Sequence, residues 1–227
     1  MSPTLRARAA TLRKLGVDPD AAAAAVSTGA LPREYIRRGA LDLDARVDTM
    51  IERLREYDAE VTECAPEELP AKIAEVLGRS GKQTFVAPAG LPKEWLAAGI
   101  NWKIDGELSK DEIEGADGVV TECFCGVADS GTIVLHHTAA EGRRLISLLP
   151  DRHLCILRAS QIGETLPEYF DRCREAPSVV TWISGPSATA DIEMTRIKGV
   201  HGPRFLDVIV VKEQGTEKQG NRETVKQ

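Results

Sequence analysis

The sequence predicts an α/β fold, three layers built around a mostly parallel sheet, with an N-terminal helical leader. Two patterns predict it. Short apolar or alternating runs, the mark of strands, recur roughly every 20 residues with amphipathic stretches of helical period between them. Strand and helix in that alternation build a parallel sheet covered on both faces. The composition agrees: 42% of the 227 residues are hydrophobic and only 4% are aromatic, so the core must be aliphatic. A chain of this length buries most of its unfolded surface and needs no disulfide staples.

Each element follows from a local pattern. Residues 1–31 place Arg6, Arg8, Arg13 and Lys14 ahead of the first acid, Asp18, and then run into alanines. They read as a poorly ordered or helical extension. The Arg-rich, acid-poor start also suits a transit peptide, while Ala21 to Ala25 lack the apolar strength of a signal-peptide core. Residues 32–59 form the helical leader. Within it Pro32–Arg38 reads as a short entry helix, and Asp44–Tyr57 as a longer one with Val47, Met50, Ile51 and Leu54 on one face. Residues 60–212 form the α/β domain. Glu60–Cys64 alternates like a strand. Pro66–Arg79 is helical and closes near Gly78. Thr84–Ala87 is a strand, Pro92–Ala98 a helix with proline in its first turn, and Trp102–Asp105 a strand. Ser109 and Glu112 form a capping box for a brief acidic helix. Gly118–Glu122 is a strand, and Gly126–Ala128 and Thr132–His136 flank Asp129-Ser130-Gly131 as hairpin arms. Leu154–Arg158 is a strand, Gln161–Cys173 an amphipathic helix, Val179–Ser184 a buried strand and Phe205–Val211 the last strand. Residues 213–227 are polar without periodicity and read as a disordered tail.

Charge and motifs exclude several functions. The net charge is −6 and the isoelectric point near 5.4, which argues against nucleic acid as a partner because phosphate neutralisation dominates such binding. No apolar run is long enough to span a bilayer, and a cytoplasmic protein is expected. No glycine-rich phosphate loop is present. The five cysteines are irregularly spaced, as in a reducing compartment with buried thiols; Cys155 and Cys173 sit in apolar segments and read as core. Cys123-Phe124-Cys125 lacks the spacing and further ligands of a zinc or iron–sulfur site. His136 and His137 are adjacent and should point to opposite faces of a strand. No metal site is expected. Arg143 and Arg144 suit either a substrate carboxylate or the solvent.

The chemistry concentrates in the stretch from Ser184 to Glu193. The apolar run before it ends in a loop of small hydroxylated residues that reads as opening into a helix, an arrangement that suits an anion at the carboxyl edge of an α/β sheet. Gly185 permits close backbone approach. Ser184, Ser187 and Thr189 supply hydroxyl donors, and Asp191 and Glu193 supply carboxylates that would repel an anion unless they point away or bind a cation or hydroxyl groups. The competing reading is that Ser187, Thr189 or Asp191 merely caps the helix. In Gly199-Val200-His201-Gly202-Pro203, His201 is either an acid–base group or a turn histidine, and Gly202 frames it. Asp129 is either a base or the start of an Asx-turn with Gly131; Ser130, Gly131 and Thr132 complete that segment.

These three stretches, 129–135, 184–193 and 199–203, resemble the signatures of the lactate utilization protein C family, whose members are single LUD-domain proteins. The likeness extends over about Pro32 to Val211. One departure is Asp129-Ser130-Gly131 where the family has Glu-Thr-Gly, a carboxylate one methylene shorter. The resemblance implies a Rossmann-like fold similar to the phosphosugar isomerase and coenzyme A transferase superfamily. It implies a part in oxidising L-lactate to pyruvate, beside partner proteins that carry the iron–sulfur clusters, with no cofactor on this chain. Two alternatives stay open: an isomerase- or transferase-like enzyme for a phosphosugar or acyl-CoA, with Asp129, Glu193 or His201 in acid–base work, and a non-catalytic adaptor.

Overall fold

The computed structural model describes residues 3–16, 18, 34–173, 175, 177–189, 197–198 and 201–213. The chain divides into two compact units, Met1–Ile36 and Arg37–Gln227. The first holds helix α1 (Pro3–Lys14), whose last turn carries Arg13 and Lys14, basic groups that suit the negative end of a helix dipole. In the second unit the chain runs α2 (Leu43–Glu56), β1 (Glu60–Cys64), α3 (Leu69–Arg79), β2 (Thr84–Pro88), β3 (Asn101–Asp105), α4 (Lys110–Glu114), β4 (Gly118–Glu122), β5 (Cys125–Val127), β6 (Thr132–Leu135), β7 (Arg152–Arg158), β8 (Ile162–Gly163), α5 (Leu166–Arg172), β9 (Thr181–Ile183), β10 (Ala188–Thr189), β11 (Ile197–Lys198) and β12 (Phe205–Val211).

The main sheet has six strands in the order β1-β12-β7-β4-β2-β3, and every pairing is parallel. From β2 the chain steps outward to β3, whereas from β4 it steps the other way to β7. The neighbouring β2 and β4 therefore bound the crevice where the connections reverse direction, the usual ligand position in open parallel sheets. A four-stranded sheet, β8-β5-β6-β9, packs on one face; β6 is antiparallel to both β5 and β9. Strands β10 and β11 form a separate antiparallel pair.

Helix α2 forms because its apolar residues fall on one stripe and because Asp42 caps it, accepting the Ala45 N–H at 2.9 Å, a contribution of about 1 kcal/mol. Its Val47, Met50 and Leu54 pack with Leu157, Val208 and Val210 of the main sheet and Ile133 and Leu135 of the small one. On the opposite face Leu69, Ile73, Val76 and Leu77 of α3 cover Phe85, Val120, Ile156 and Ile209. Each fully buried side chain of this kind is worth about 1.5–3 kcal/mol. The layers are thus α3, main sheet, and α2 with the small sheet, the α/β architecture expected. The Ser109–Glu112 capping box forms as the sequence predicts.

Several elements differ from expectation. Residues 34–38 of the entry helix are not helical. The helix expected over residues 92–98 is a single 3-10 turn, Lys93–Trp95. The helix expected over residues 161–173 shrinks to α5, with Pro167 in its first turn; before it come a 3-10 turn, Ala159–Gln161, and β8. The run at residues 179–184 is not a buried strand of the parallel sheet. It supplies β9, at the edge of the small sheet, with Trp182 42% exposed. A continuous apolar run carries no alternation that would reveal which sheet it joins. No helix among the described residues is long and apolar enough to cross a membrane. Residues 19–33 and 214–227 lie outside the described residues.

Candidate functional site

The three stretches singled out in the sequence are tied together by short polar contacts. After β5 a 3-10 turn, Ala128–Ser130, ends at Gly131, which adopts a left-handed conformation with φ +59°. Gly131 N–H donates to the Ala128 carbonyl at 3.2 Å, so the Asx-turn reading of Asp129 does not hold. Thr132 Oγ1 stands 2.7 Å from both Ser130 Oγ and Ser184 Oγ. Three hydroxyls in a row carry three hydrogens and form two bonds, which leaves one hydrogen of the chain to donate outward. Farther along, Ser187 N–H donates to the Pro203 carbonyl at 2.8 Å, and His201 N–H donates to Ser187 Oγ at 3.1 Å. The hydroxyl-rich turn and the Gly-His-Gly turn are fastened to each other.

Between them lies a pocket of about 180 Å³, with Ser184, Gly185, Ser187, His201 and Gly202 in its wall. Leu148, Trp182, Ile183 and Leu206 make much of the remainder apolar. His153, which no sequence motif singles out, also lines it. This residue is 1% exposed; its Nε2 is 2.8 Å from Thr121 Oγ1. Burial alone pushes its pKa down to about 4, so the ring is neutral near pH 7. An isolated histidine in an apolar strand pattern gives no sign of the cavity beside it.

The pocket's location corrects an expectation. His153 and Leu206 are second residues of β7 and β12, so it opens toward the amino ends of those parallel strands, not the carboxyl edge. The turn leads first into β10; the helix start expected around Asp191 and Glu193 lies outside the described residues. The backbone of Thr189 belongs to β10; Asp191 and Glu193 lie outside the described residues. Asp129 is exposed and lines, with Ser130, Thr132 and Ser184, a neighbouring groove of about 280 Å³. Ser184 and Trp182 belong to both hollows.

A third hollow of about 510 Å³ does occupy the carboxyl edge, at Pro88, Asp105 and the segment from His136 to Arg144. Both His136 and His137 line it, against the expectation of opposite faces. Strand β6 has already ended at Leu135, and His137 sits at φ +59°, so strand alternation no longer governs the pair.

Among the described residues no three His, Cys, Asp or Glu side chains converge as a metal-ligand set. Cys123 and Cys125 are buried. The Cys123 thiol donates to the Ile156 carbonyl at 3.3 Å, and burial pushes the Cys125 thiol up to about 12. Cys155 is fully buried, whereas Cys173, expected in the core, is only half-buried.

Comparison with known proteins adds to this geometry. The LUD domain family matches residues 47–211. The chain is 43% identical over 166 residues to lactate utilization protein C of Deinococcus radiodurans, covering 70% of this chain and 76% of that protein. It is 33% identical over 135 residues to lactate utilization protein C of Bacillus subtilis, covering 55% of this chain and 56% of the relative. The crystal structure of a DUF162 family protein from Deinococcus radiodurans superposes with a TM-score of 0.66 and 36% identity, over 76% of this chain and 99% of that one.

Proposed function

The chain belongs to the LUD domain family, and from that premise we propose that it serves lactate utilization as a non-redox subunit that binds a small organic anion between residues 184–187 and His201. The observation that carries the site is the bond from His201 N–H to Ser187 Oγ, which brings the hydroxyl-bearing turn and the histidine to one small pocket. Ser187 Oγ accepts that bond, so its own hydrogen is available to a ligand. Ser184, bonded to Thr132, offers a second donor when Thr132 donates to it. The imidazole of His201 supplies a third polar contact. The apolar wall of Leu148, Ile183 and Leu206 suits the short carbon chain of lactate or pyruvate. Hydroxyl donors around a carboxylate are charge-assisted and roughly twice as strong as neutral bonds.

Oxidation of lactate to pyruvate releases two electrons and two protons. In this reading the electrons pass to iron–sulfur partner proteins in the cytoplasm. Cluster ligation needs several converging thiolates; here Cys64, Cys123, Cys125 and Cys155 are buried, and burial or mutual contact favours the protonated thiol at Cys64, Cys123 and Cys125. A ligand that binds only the native state raises stability by RT ln(1 + [L]/Kd), about 2.7 kcal/mol at a hundredfold excess over Kd. L-lactate or pyruvate should therefore raise the melting temperature, and Ser187→Ala and His201→Ala should abolish the rise. Two outcomes sink the reading: no shift with either acid, or turnover of lactate by this chain alone with an artificial electron acceptor. Capture of partners by a chain that shows no shift would favour the adaptor instead.

A further inference from the structure

We propose that the cleft at the carboxyl ends of β2 and β3 is a second binding site, independent of the lactate pocket, that takes the phosphate monoester of a small metabolite with Arg144 as its anchor. The cleft is built rather than incidental. Its floor is the segment that crosses the crevice between β2 and β4. Gly90 N–H donates to the Ala139 carbonyl at 2.9 Å, and Glu122 N–H donates to the Ala140 carbonyl at 3.1 Å. Underneath, the carboxylate of Glu141, only 3% exposed, accepts the backbone N–H groups of His136 and Thr138. Gly142, at φ +71°, lies so close to Pro88 that a Cβ there would stand 3.0 Å from the proline's own. The segment is pinned at both strands before any ligand arrives.

The side chains on this floor form a donor set with one uncompensated cation. Arg143 is clamped by Asp105, with Nε 2.9 Å from Oδ2 and Nη2 2.8 Å from Oδ1, and it also donates to the Leu108 carbonyl. That pair is electrically neutral and leaves Nη1 uncommitted among the described residues. Arg144, the next residue, also lines the cleft and has no ion-pair partner among the described residues. Glu141 is committed to backbone donors, and Glu107 acts on the already paired Arg143. His137 is held in place from both sides, with Nδ1 2.9 Å from the Gly142 carbonyl and Nε2 2.8 Å from Thr181 Oγ1. Because a carbonyl only accepts, Nδ1 carries the hydrogen. His136 stacks on Phe124 at 3.7 Å, with Nε2 3.0 Å from the Tyr169 hydroxyl.

Size and donor number select the ligand class. At about 510 Å³ the cleft falls in the range of metabolite-sized sites, roughly 300–1,000 Å³, whereas the lactate pocket is near 180 Å³. The Arg144 guanidinium and the uncommitted Nη1 of Arg143 offer donors from two neighbouring side chains, which suits the three oxygens of a phosphate monoester better than the two of a carboxylate.

Calorimetric titration with glycerol 3-phosphate tests the assignment. The wild type should bind it. Arg144→Gln, a change on an exposed side chain, should weaken binding by about tenfold or more, the usual scale for losing a charge-assisted bond, while its unliganded melting temperature stays that of the wild type. Ser187→Ala should bind glycerol 3-phosphate as the wild type does. The proposal is overturned if glycerol 3-phosphate does not bind, if Arg144→Gln leaves its affinity unchanged, or if Arg144→Gln removes the response to L-lactate. Failure of the lactate reading shows separately, as the absence of a lactate shift in a protein that still binds glycerol 3-phosphate.

Discussion

His153 brings a titratable ring into the interior, where desolvation works against the imidazolium. Its pKa falls from the ordinary 6.5 to about 4, and Thr121 satisfies one ring nitrogen. The consequence for stability has a definite sign. Above pH 6.5 the ring is neutral in both folded and unfolded chains. As the pH drops below 6.5 the unfolded chain takes up a proton that the native one refuses until about pH 4. Stability present above pH 6.5 is lost across that window, in total about 3 kcal/mol at 1.36 kcal/mol per pH unit. Urea midpoints measured at pH 7.5 and pH 5 should therefore differ by more in the wild type than in His153→Gln. In the native protein the His153 ring-proton resonance should stay unshifted by NMR down to pH 5; movement near pH 6.5 would show a solvated ring. Nothing in the sequence separates this histidine from an ordinary core residue, because a cavity wall is made by neighbours distant along the chain. His201 and Ser187 are legible because glycine, proline and hydroxyl residues cluster around them.

Glycines 131 and 185 show how one helix shapes the site from behind. Both have positive φ, +59° and +91°, and both lie against the end of α2. A Cβ on Gly131 would stand 2.6 Å from the Cβ of Arg53, and one on Gly185 would stand 2.5 Å from the Cβ of Tyr57 and 2.9 Å from its carbonyl oxygen. From sequence alone Gly185 reads as allowing close backbone approach and Gly131 as part of a turn; the structure places α2 against both. The apolar stripe of α2 is plain from spacing, but which loops it presses against depends on the packing of two sheets. The same limit explains β9: its composition announces a strand, and its edge position comes from pairing with β6. Gly185→Ala should cost both the left-handed strain and the crowding. Gly81, at φ +65° with nothing within 4 Å of where a Cβ would stand, isolates the first contribution, about 1 kcal/mol. Chemical denaturation should show Gly185→Ala less stable than Gly81→Ala by about 1–3 kcal/mol, the scale of overpacking. The displaced turn should also lose its response to lactate. Equal costs for the two variants would mean that the turn yields freely and that α2 does not set its position.

At the scale of the molecule, parallel sheet, layers and aliphatic core are readable because strand and helix periods differ. Of the four-stranded sheet only the β5–β6 hairpin is legible as such, and its joining with β8 and β9 leaves little pattern in strands of two to four residues. The thiols test whether the whole second unit closes as described. Cys64, Cys123, Cys125 and Cys155 are 6%, 3%, 2% and 0% exposed, distributed over both faces of the main sheet and the small sheet. Contact with the Cys155 thiol and burial raise Cys123, burial raises Cys64, and burial pushes Cys125 to about 12, so the reactive thiolate is scarce even where a reagent could reach. Cys173 alone is half-buried. Titration of the native protein with DTNB at pH 8 should therefore give one fast thiol. The other four should react only as fast as the protein opens, and all five promptly in denaturant. Cys173→Ser should remove the fast phase and leave the slow one. Two fast thiols that disappear together in a Cys123→Ser, Cys125→Ser double variant would put the C-x-C pair at the surface. That result would reopen a redox or metal role for this chain and undercut the assignment of electron transfer to its partners.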